Sequence, residues 1–252
     1  MNTKELFDLH GCNAIVTGGS RGLGLQIAEA LGEMGAKVAL TARKKAELDE
    51  AVAHLAKLGI EASGWPCDLG KREQIAPLVE SILKHYGKID ILVNNAGAVW
   101  AEAAEKHPVE AWDKLVALNM TANFVLSQAV ATKSMIPNRR GRIVNVASVA
   151  GLRPAGSSIA YAVAKAGLIH LTRCLAVAMA PEVTVNCVAP GLMEGTRMAK
   201  RLPAEVVEST RRLAVLQRST GIEDVAAQVV AFCRADSVTG QVLNIDAGVH
   251  FH

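Results

Sequence analysis

The stretch that decides the fold runs from residue 13 to residue 34 and reads NAIVT at 13–17, GGSRGLG at 18–24 and LQIAEALGEM at 25–34. The first part is a short apolar run, the second is rich in glycine, and the third repeats apolar residues at helical spacing. This order predicts a buried strand, a tight turn and a helix. Units of this kind begin the open, doubly wound sheets in which parallel strands alternate with helices.

The glycines of this turn indicate what it can bind. Glycine permits a tight turn, lets the backbone approach a pyrophosphate closely and lets the helix pack tightly on the strand. The amino end of the following helix offers free N–H groups to an anion. We therefore predict a dinucleotide site, with an ordinary turn between strand and helix as the alternative. Its predicted contacts are Gly18, Ser20, Arg21, Gly22, Leu23 and Gly24.

The end of the second predicted strand, at residues 35–43, indicates which dinucleotide fits. NAD sites usually carry an acidic residue there for the ribose 2′-hydroxyl, whereas arginine suits a 2′-phosphate. This chain has Ala42 followed by Arg43 and Lys44, and Arg21 in the glycine-rich turn could reach the same phosphate. We predict NADP(H) as the cofactor. The alternative for either arginine is a solvated surface charge.

The rest of the chain continues to alternate predicted strands and helices, without a linker, repeat or low-complexity segment. We predict a single domain over residues 1–252, an α/β, doubly wound Rossmann fold with a seven-stranded parallel sheet and helices on both faces. The irregular, charged segment 192–218 is expected to form a loop and helix over the site, as a substrate lid. The predicted strands are 13–17, 35–43, 62–67, 89–93, 141–148, 184–191 and 240–246, and the predicted helices are 25–34, 44–58, 72–86, 108–136, 161–179 and 223–233.

The run YAVAK at 161–165 places a tyrosine and a lysine four residues apart on a predicted helix. Residues at this spacing lie on the same helix face, so the Tyr161 hydroxyl and the Lys165 ammonium can point into one cleft. A positive charge beside the phenol favours the phenolate and lowers its pKa toward the range useful for general acid-base catalysis. The alternative is a half-buried aromatic side chain beside a solvated lysine.

Two further polar residues are candidates for the same cleft. Ser148 closes the predicted strand 141–148, and open α/β sheets bind ligands at the carboxyl ends of their strands. Asn119 lies in the middle of the predicted helix 108–136, although asparagine is a mediocre helix former. It either faces solvent or turns a polar group into the cleft, and the sequence alone leaves both open.

Composition excludes several other classes of function. Half of the 252 residues are hydrophobic and a fifth are charged, which is typical of a globular protein with a large core. The net charge of +3 is scattered without a basic stripe, so we expect no nucleic-acid partner. No continuous apolar run approaches the ~20 residues of a transmembrane helix, so we expect no membrane partner.

The cysteines and histidines indicate the compartment and argue against a metal site. The five cysteines are odd in number and never spaced Cys-x-x-Cys, and the seven histidines show no metal-ligand spacing. We expect no metal and unpaired thiols in a reducing compartment. The first residues lack the apolar core of a signal peptide, so a cytoplasmic location is expected.

Six motifs, in order and in register, resemble those of the short-chain dehydrogenase/reductase family over essentially the whole chain. They are TGGSRGLG at 17–24, NNAG at 94–97, Asn119, Ser148, YAVAK at 161–165 and PG at 190–191. Within that family the chain is most similar to members that act as 3-oxoacyl-carrier-protein reductases and gluconate 5-dehydrogenases.

The resemblance implies a role for each residue of the cleft. Tyr161 would be the catalytic acid-base, and Ser148 would hydrogen-bond the substrate oxygen. Lys165 would lower the pKa of the tyrosine and hold the nicotinamide ribose. Asn119 would hold a water molecule that continues the proton relay.

The resemblance also implies further cofactor contacts. Asp68 would contact the adenine, Asn95 its ribose side, and Pro190 with Gly191 would border the nicotinamide. The remaining implied contacts are Leu69, Ala96 and Gly97. One position departs from the family, which often has a threonine four residues past the glycine of PG. Here Gly195 occupies that place and Thr196 follows it, so the role of Thr196 stays open.

The activity that the resemblance implies is NADP(H)-dependent interconversion of a ketone and a secondary alcohol. The implied substrate is a 3-oxoacyl thioester, a sugar acid or a small ketone, and the implied assembly is a homotetramer or homodimer. The alternative is a non-catalytic NADP(H)-binding regulatory or scaffold protein. Such proteins usually lose the tyrosine or the lysine, and this chain has both.

Overall fold

The apolar runs of the sequence pair into one parallel sheet in the computed structural model, which describes residues 3–154 and 158–251. The order of the strands in space is β3-β2-β1-β4-β5-β6-β7, so the chain winds outward from the middle of the sheet in both directions. The order reverses between β1 and β4, where ligands bind in folds of this kind. The strands are β1 Asn13–Thr17, β2 Lys37–Ala42, β3 Ala62–Pro66, β4 Ile91–Asn94, β5 Gly141–Val146, β6 Val183–Pro190 and β7 Val242–Ile245.

Helices connect the strands. The main ones in chain order are α1 Thr3–Leu6, α2 Gly22–Glu33, α3 Lys45–Lys57, α4 Ile75–Tyr86, α5 Val109–Val116, α6 Ala122–Val130, α7 Ile159–Ala178, α8 Ala204–Leu213 and α9 Ile222–Arg234. The predicted loop and helix between β6 and α9 are present as a 3₁₀ turn, Ala199–Arg201, followed by α8.

The sheet buries one apolar layer on each face. Neighbouring residues of a strand point to opposite faces, so Ile15 of β1 packs in one layer and Val16 in the other. Helices α2, α3 and α9 cover the Val16 layer with side chains such as Ile27, Leu55 and Val229. Helices α4, α6 and α7 cover the opposite layer. Helices therefore lie on both faces, which confirms the predicted doubly wound fold.

Most element boundaries agree with the sequence prediction to within three residues, and two differences have a clear cause. The second strand starts later than predicted, because Gly35 has a φ of +95° and belongs to the turn after α2. Ser148 lies two residues beyond the end of β5, so it belongs to the loop after the strand rather than to the strand.

The predicted long helix 108–136 is continuous from Val109 to Met135, but it is not a regular α-helix. Two π-helical turns, Ala117–Thr121 and Ala131–Met135, interrupt it on either side of α6. Such turns insert an extra residue into a helix and are frequent at functional sites. Asn119 lies in the first of them.

Within the described residues, two helices are long and apolar enough to cross a membrane, Val109–Met135 and Ile159–Ala178. The sequence expectation, based on continuous apolar runs, did not identify them. Each packs one side into the core, through side chains such as Leu126 and Leu168. Core helices of globular domains pass the same test of length and composition, so this is weak evidence for a membrane span.

Candidate functional site

A cavity of about 690 Å³ lies at the carboxyl edge of the sheet, where the loops after β1, β2, β3, β4, β5 and β6 meet. The structure brings nearly all the predicted site residues together there. Asn119 alone among them does not line the cavity. The lining residues that the sequence predicted are Gly18, Ser20, Arg21, Gly22, Leu23, Gly24, Arg43, Asp68, Leu69, Asn95, Ala96, Gly97, Ser148, Tyr161, Lys165, Pro190 and Gly191.

The glycine-rich turn between β1 and α2 leaves room for an anion. Gly22, the first residue of α2, has a φ of +54°, and a side chain there would meet no atom within 4 Å. A Cβ on Gly24 would instead lie 2.3 Å from the Gly18 carbonyl oxygen, so only glycine lets the helix pack this closely on the turn. An open backbone at a helix amino end fits a pyrophosphate, as the sequence predicts.

The NNAG loop after β4 is tied to β1 by Thr17. The Asn95 side chain donates a hydrogen bond of 2.8 Å to the Thr17 carbonyl oxygen. The Thr17 hydroxyl accepts hydrogen bonds of 2.9 Å from the backbone N–H groups of Asn95 and Ala96. These bonds fix the backbone that borders the cavity next to the glycine-rich turn.

Asn119 is fully buried, so it does not face solvent, and its side chain turns toward the NNAG loop without lining the cavity. Its side-chain nitrogen donates hydrogen bonds of 2.9 Å to the carbonyl oxygens of Ala98 and Leu115. Its side-chain oxygen accepts a bond of 3.2 Å from the Ala98 N–H. A Cβ on Gly97 would lie 2.7 Å from this oxygen and 3.6 Å from Lys165 Nζ, so glycine allows the loop to pass between them. Asn119 therefore holds the NNAG loop in place, and its role in holding water stays a prediction.

Lys165 is almost completely buried, at 3% exposure, and its ammonium group lies between α7 and β5. Nζ donates a hydrogen bond of 2.7 Å to the Val146 carbonyl oxygen at the end of β5. The same atom lies 5.7 Å from the centre of the Tyr161 ring. The predicted tyrosine and lysine thus lie on one helix face and line one cavity.

The pKa values of this pair are set mainly by burial. Burial lowers the pKa of Lys165 to about 8, because the charged form loses its hydration. Burial raises the pKa of Tyr161 above its ordinary value, and hydrogen bonding to Ser148 acts in the opposite direction. The net direction is therefore opposite to the lowered pKa that the spacing of Tyr161 and Lys165 predicts, because desolvation of the phenolate is the largest cause.

Ser148 sits in the loop after β5 and begins the 3₁₀ turn Val149–Gly151. Its hydroxyl oxygen accepts a hydrogen bond of 3.2 Å from the Ala150 N–H. The same hydroxyl also interacts with the Tyr161 phenol, so the two groups lie side by side at the cavity. A serine here can therefore donate to a substrate oxygen beside Tyr161.

Basic side chains line the cavity near the end of β2. Arg43 is exposed there, and Arg21 and Lys44 both pair with the Glu47 carboxylate, at 2.8 Å and 3.2 Å. Glu47 is not among the residues predicted from the sequence, although its position three residues after Lys44 on a predicted helix was a signal for the second pair. The pairing with Arg21, 26 residues earlier, needs the folded structure.

The segment between β6 and α8 forms another part of the cavity lining. It contributes the apolar side chains of Leu192, Met193, Met198 and Leu202. The Thr196 hydroxyl donates a hydrogen bond of 2.9 Å to the Met193 carbonyl oxygen. It also accepts one of 3.2 Å from the Ala199 N–H, so this hydroxyl stabilises the turn itself.

The described residues contain no group of three His, Cys, Asp or Glu side chains placed to hold a metal ion. The two polar ends of the cavity fit a dinucleotide instead. Basic side chains and the open glycine backbone lie at one end, and Tyr161, Ser148 and Lys165 line the other. Asp68, on the same lining, is held by its loop, since its carboxylate accepts a bond of 3.1 Å from the Gly70 N–H.

Sequence comparison agrees with this geometry. The profile of the family described as short chain dehydrogenase matches residues 12–230. The chain is 37% identical over 246 residues to the 3-oxoacyl-acyl-carrier-protein reductase FabG of Vibrio cholerae, with 96% of this chain and 99% of that protein covered. It is 35% identical over 254 residues to gluconate 5-dehydrogenase of Gluconobacter oxydans, with 99% and 98% covered.

Solved structures with the same fold hold either cofactor. The Pseudomonas aeruginosa RhlG/NADP active-site complex has a TM-score of 0.88 at 32% identity, covering 98% of this chain and 99% of that one. NAD⁺-bound xylitol dehydrogenase has a TM-score of 0.91 at 30% identity, covering 95% and 99%. The choice between NADP and NAD must therefore be argued from the residues of this chain.

The lowered pKa of Lys165 predicts a pH-dependent stability. The unfolded chain binds a proton at this lysine up to about pH 10.5, whereas the folded chain releases it near pH 8. Stability should therefore rise between these pH values, by on the order of 3 kcal/mol relative to Lys165→Met. Urea denaturation of both proteins across this range measures the difference. Lys57→Met, at an exposed lysine of α3, is the control for the loss of a surface charge. A difference for Lys165→Met that is constant with pH would contradict the prediction.

Proposed function

Because the chain belongs to the short chain dehydrogenase family, we propose that it is an NADP(H)-dependent oxidoreductase that interconverts a ketone and a secondary alcohol. The observation that carries the proposal is that Tyr161, Ser148 and Lys165 line the same cavity as the open glycine-rich turn. A proton donor and a dinucleotide-binding backbone thereby share one space of about 690 Å³.

The three side chains divide the proton chemistry between them. A nicotinamide dinucleotide bound here supplies hydride to a carbonyl carbon or accepts it from an alcohol. During reduction Tyr161 donates its phenolic proton to the carbonyl oxygen, and during oxidation it takes the proton back. Ser148 donates a hydrogen bond to the same oxygen and stabilises the negative charge that develops on it.

Lys165 favours the charged form of the tyrosine, while burial keeps the net pKa of Tyr161 above its ordinary value. Its ammonium is fixed by the Val146 carbonyl and cannot move away from the 5.7 Å separation without losing that bond. A fixed positive charge at this distance stabilises the phenolate more than the phenol. Asn119 stabilises this arrangement, because its side chain hydrogen-bonds the backbone of Ala98 in the NNAG loop, next to Lys165.

The basic end of the cavity supports NADP(H) over NAD(H). The described lining there carries Arg21, Arg43 and Lys44 against one carboxylate, Glu47, and β2 ends without an acidic residue. A ribose 2′-phosphate carries close to two negative charges at neutral pH and gains from such a surplus of cations. The NADP-bound structure of RhlG is consistent with this assignment.

The segment after β6 lines the cavity with apolar side chains and with the cations Arg197 and Lys200, and its apolar part supports a 3-oxoacyl thioester as substrate. Leu192, Met193, Met198 and Leu202 gain from contact with an acyl chain, whereas the hydroxyl groups of a sugar would lose hydration beside them. The similarity to FabG, a 3-oxoacyl-acyl-carrier-protein reductase, favours the same class. A small ketone remains the alternative within the same reaction.

Exposed apolar side chains support assembly with further copies of the chain. Val109, Phe124, Val163 and Val177 are exposed along α5, α6 and α7, and Leu243 is exposed on the edge strand β7. A second copy that covers these side chains would remove them from water. We therefore propose a homodimer or homotetramer. The five unpaired cysteines further support a reducing, cytoplasmic setting.

Replacing the proposed acid-base should remove turnover and spare cofactor binding. Tyr161→Phe keeps the ring but loses the transferable proton, so kcat with NADPH and a 3-oxoacyl thioester should fall by about 10²–10⁴-fold. The dissociation constant of NADPH should change little. Tyr86→Phe, at the other tyrosine of the chain, is the control and should keep activity, because Tyr86 does not line the cavity. Near-normal turnover by Tyr161→Phe would refute the assignment, and no turnover by the wild type on a broad ketone panel would favour the non-catalytic alternative.

Reversing the charge at Arg43 should change cofactor preference. Arg43→Asp places an anion where the 2′-phosphate is expected, so NADPH binding should weaken by on the order of 10- to 100-fold. NADH binding should change far less, because a ribose hydroxyl is uncharged. Equilibrium titration of both cofactors measures the two constants. Arg140→Asp, an equal charge change before β5 at the opposite edge of the sheet, should affect neither. Equal wild-type affinities for NADPH and NADH would count against the phosphate assignment.

Placing a charge on the exposed helix surface should reduce the assembly. The wild type should sediment as a dimer or tetramer, and Phe124→Glu should shift it toward smaller species, because a carboxylate is costly to bury between copies. Analytical ultracentrifugation gives both masses. Leu58→Glu, on an exposed leucine after α3, should leave the mass unchanged. A monomeric wild type would contradict the proposal.

A further inference from the structure

One acidic side chain stands among the basic residues at the cofactor end of the cavity. Glu47 uses both carboxylate oxygens on cations, with Oε2 at 2.8 Å from an Arg21 guanidinium nitrogen and Oε1 at 3.2 Å from Lys44 Nζ. All three side chains line the cavity, together with Arg43. The Glu47 side chain is 25% exposed, whereas those of Arg21 and Lys44 are 47% and 68% exposed. The carboxylate is thus the most enclosed member of the group.

The position of Glu47 has a simpler explanation that does not involve a ligand. It lies in the first turn of α3, where an acidic side chain interacts favourably with the helix dipole. That explanation accounts for an acidic residue in this turn, and it does not account for the direction of the side chain. The carboxylate is turned toward Arg21, which belongs to the glycine-rich turn and is 26 residues away in the chain.

We propose that Glu47 is a specificity-determining residue, a built-in counter-ion that competes with the cofactor's 2′-phosphate for Arg21 and Lys44. The inference rests on the proposed NADP(H) function and refines it. A phosphate that approaches the basic group must take N–H donors from the carboxylate and must also approach its negative charge. A ribose hydroxyl meets neither obstacle. Glu47 therefore weakens NADPH binding more than NADH binding. It thereby reduces the preference of the protein for NADPH over NADH.

The size of the effect follows from the partial exposure of the group. Two like charges a few ångströms apart at a protein surface repel each other, and we expect removal of this repulsion to strengthen NADPH binding by roughly tenfold. Because the Debye length is about 10 Å at 0.1 M salt and about 3 Å at 1 M, the effect should be strongly reduced at high salt. An effect on NADPH binding that came from altered packing at position 47 would not depend on salt concentration in this way.

The test is Glu47→Gln, which keeps the size and one acceptor oxygen but removes the charge. Dissociation constants of NADPH and NADH are measured by equilibrium titration at low and at high salt, for the wild type and the variant. The NADPH constant should fall about tenfold at low salt and much less at high salt, while the NADH constant changes less than about twofold. Asp49→Asn is the matched control, since Asp49 lies on the same helix and pairs with Lys45 at 2.7 Å but does not line the cavity.

Each outcome separates this inference from the proposed function. A wild type that does not prefer NADPH refutes the cofactor assignment, whatever Glu47→Gln does. A wild type that prefers NADPH, with a Glu47→Gln variant whose ratio of NADH to NADPH constants is unchanged or smaller, overturns the role of Glu47 alone. An equal rise of the ratio in Asp49→Asn would also overturn it, because the effect would then come from net charge. Thermal unfolding of all three proteins establishes that the variants are folded.

Discussion

The Lys165 side chain reaches from α7 to the end of β5, where its ammonium donates a hydrogen bond to the Val146 carbonyl. Burying this charge is costly, and burial accordingly lowers the pKa of Lys165 to about 8. The bond is possible because the last carbonyl groups of a parallel strand are free at the edge of the sheet. Three elements therefore meet around Lys165 Nζ. They are α7, the end of β5 and the NNAG loop, which passes this atom at Gly97. The geometry of the candidate site follows from this meeting point.

A buried polar chain supports the same edge from inside the sheet. Asn94, at the end of β4, donates hydrogen bonds of 3.0 Å to the Ser127 hydroxyl of α6 and of 2.8 Å to the Asn145 side-chain oxygen of β5. Asn145 in turn donates a bond of 2.9 Å to the Thr172 hydroxyl of α7. Buried polar groups are costly unless they are paired. This series of hydrogen bonds therefore specifies how β4, β5, α6 and α7 fit together. It connects the elements that carry Asn119, Lys165 and Tyr161.

The fold could be predicted because its signals are local. Buried parallel strands leave continuous apolar runs, and the turn before α2 leaves glycines where backbone must meet backbone. What the sequence could not give depends on partners distant in the chain. The direction of Asn119 is set by the Ala98 backbone and a π-helical turn, and the pairing of Glu47 with Arg21 is set by the glycine-rich turn meeting the start of α3. The pKa of Tyr161 went against the sequence expectation, because spacing reveals a neighbouring charge and does not reveal desolvation.

Tyr161 becomes an effective acid-base only when nearby positive charge lowers its pKa by more than burial raises it. Burial raises the pKa of Tyr161, and an oxidised nicotinamide bound in the cavity would add a positive charge to that of Lys165. Tyr86→Phe leaves Tyr161 as the single tyrosine, so ultraviolet titration of its phenolate reports one pKa. The account predicts a pKa above the ordinary value of 10.0 without cofactor and a value well below it with NADP⁺ bound. The same pKa in both states would contradict the account.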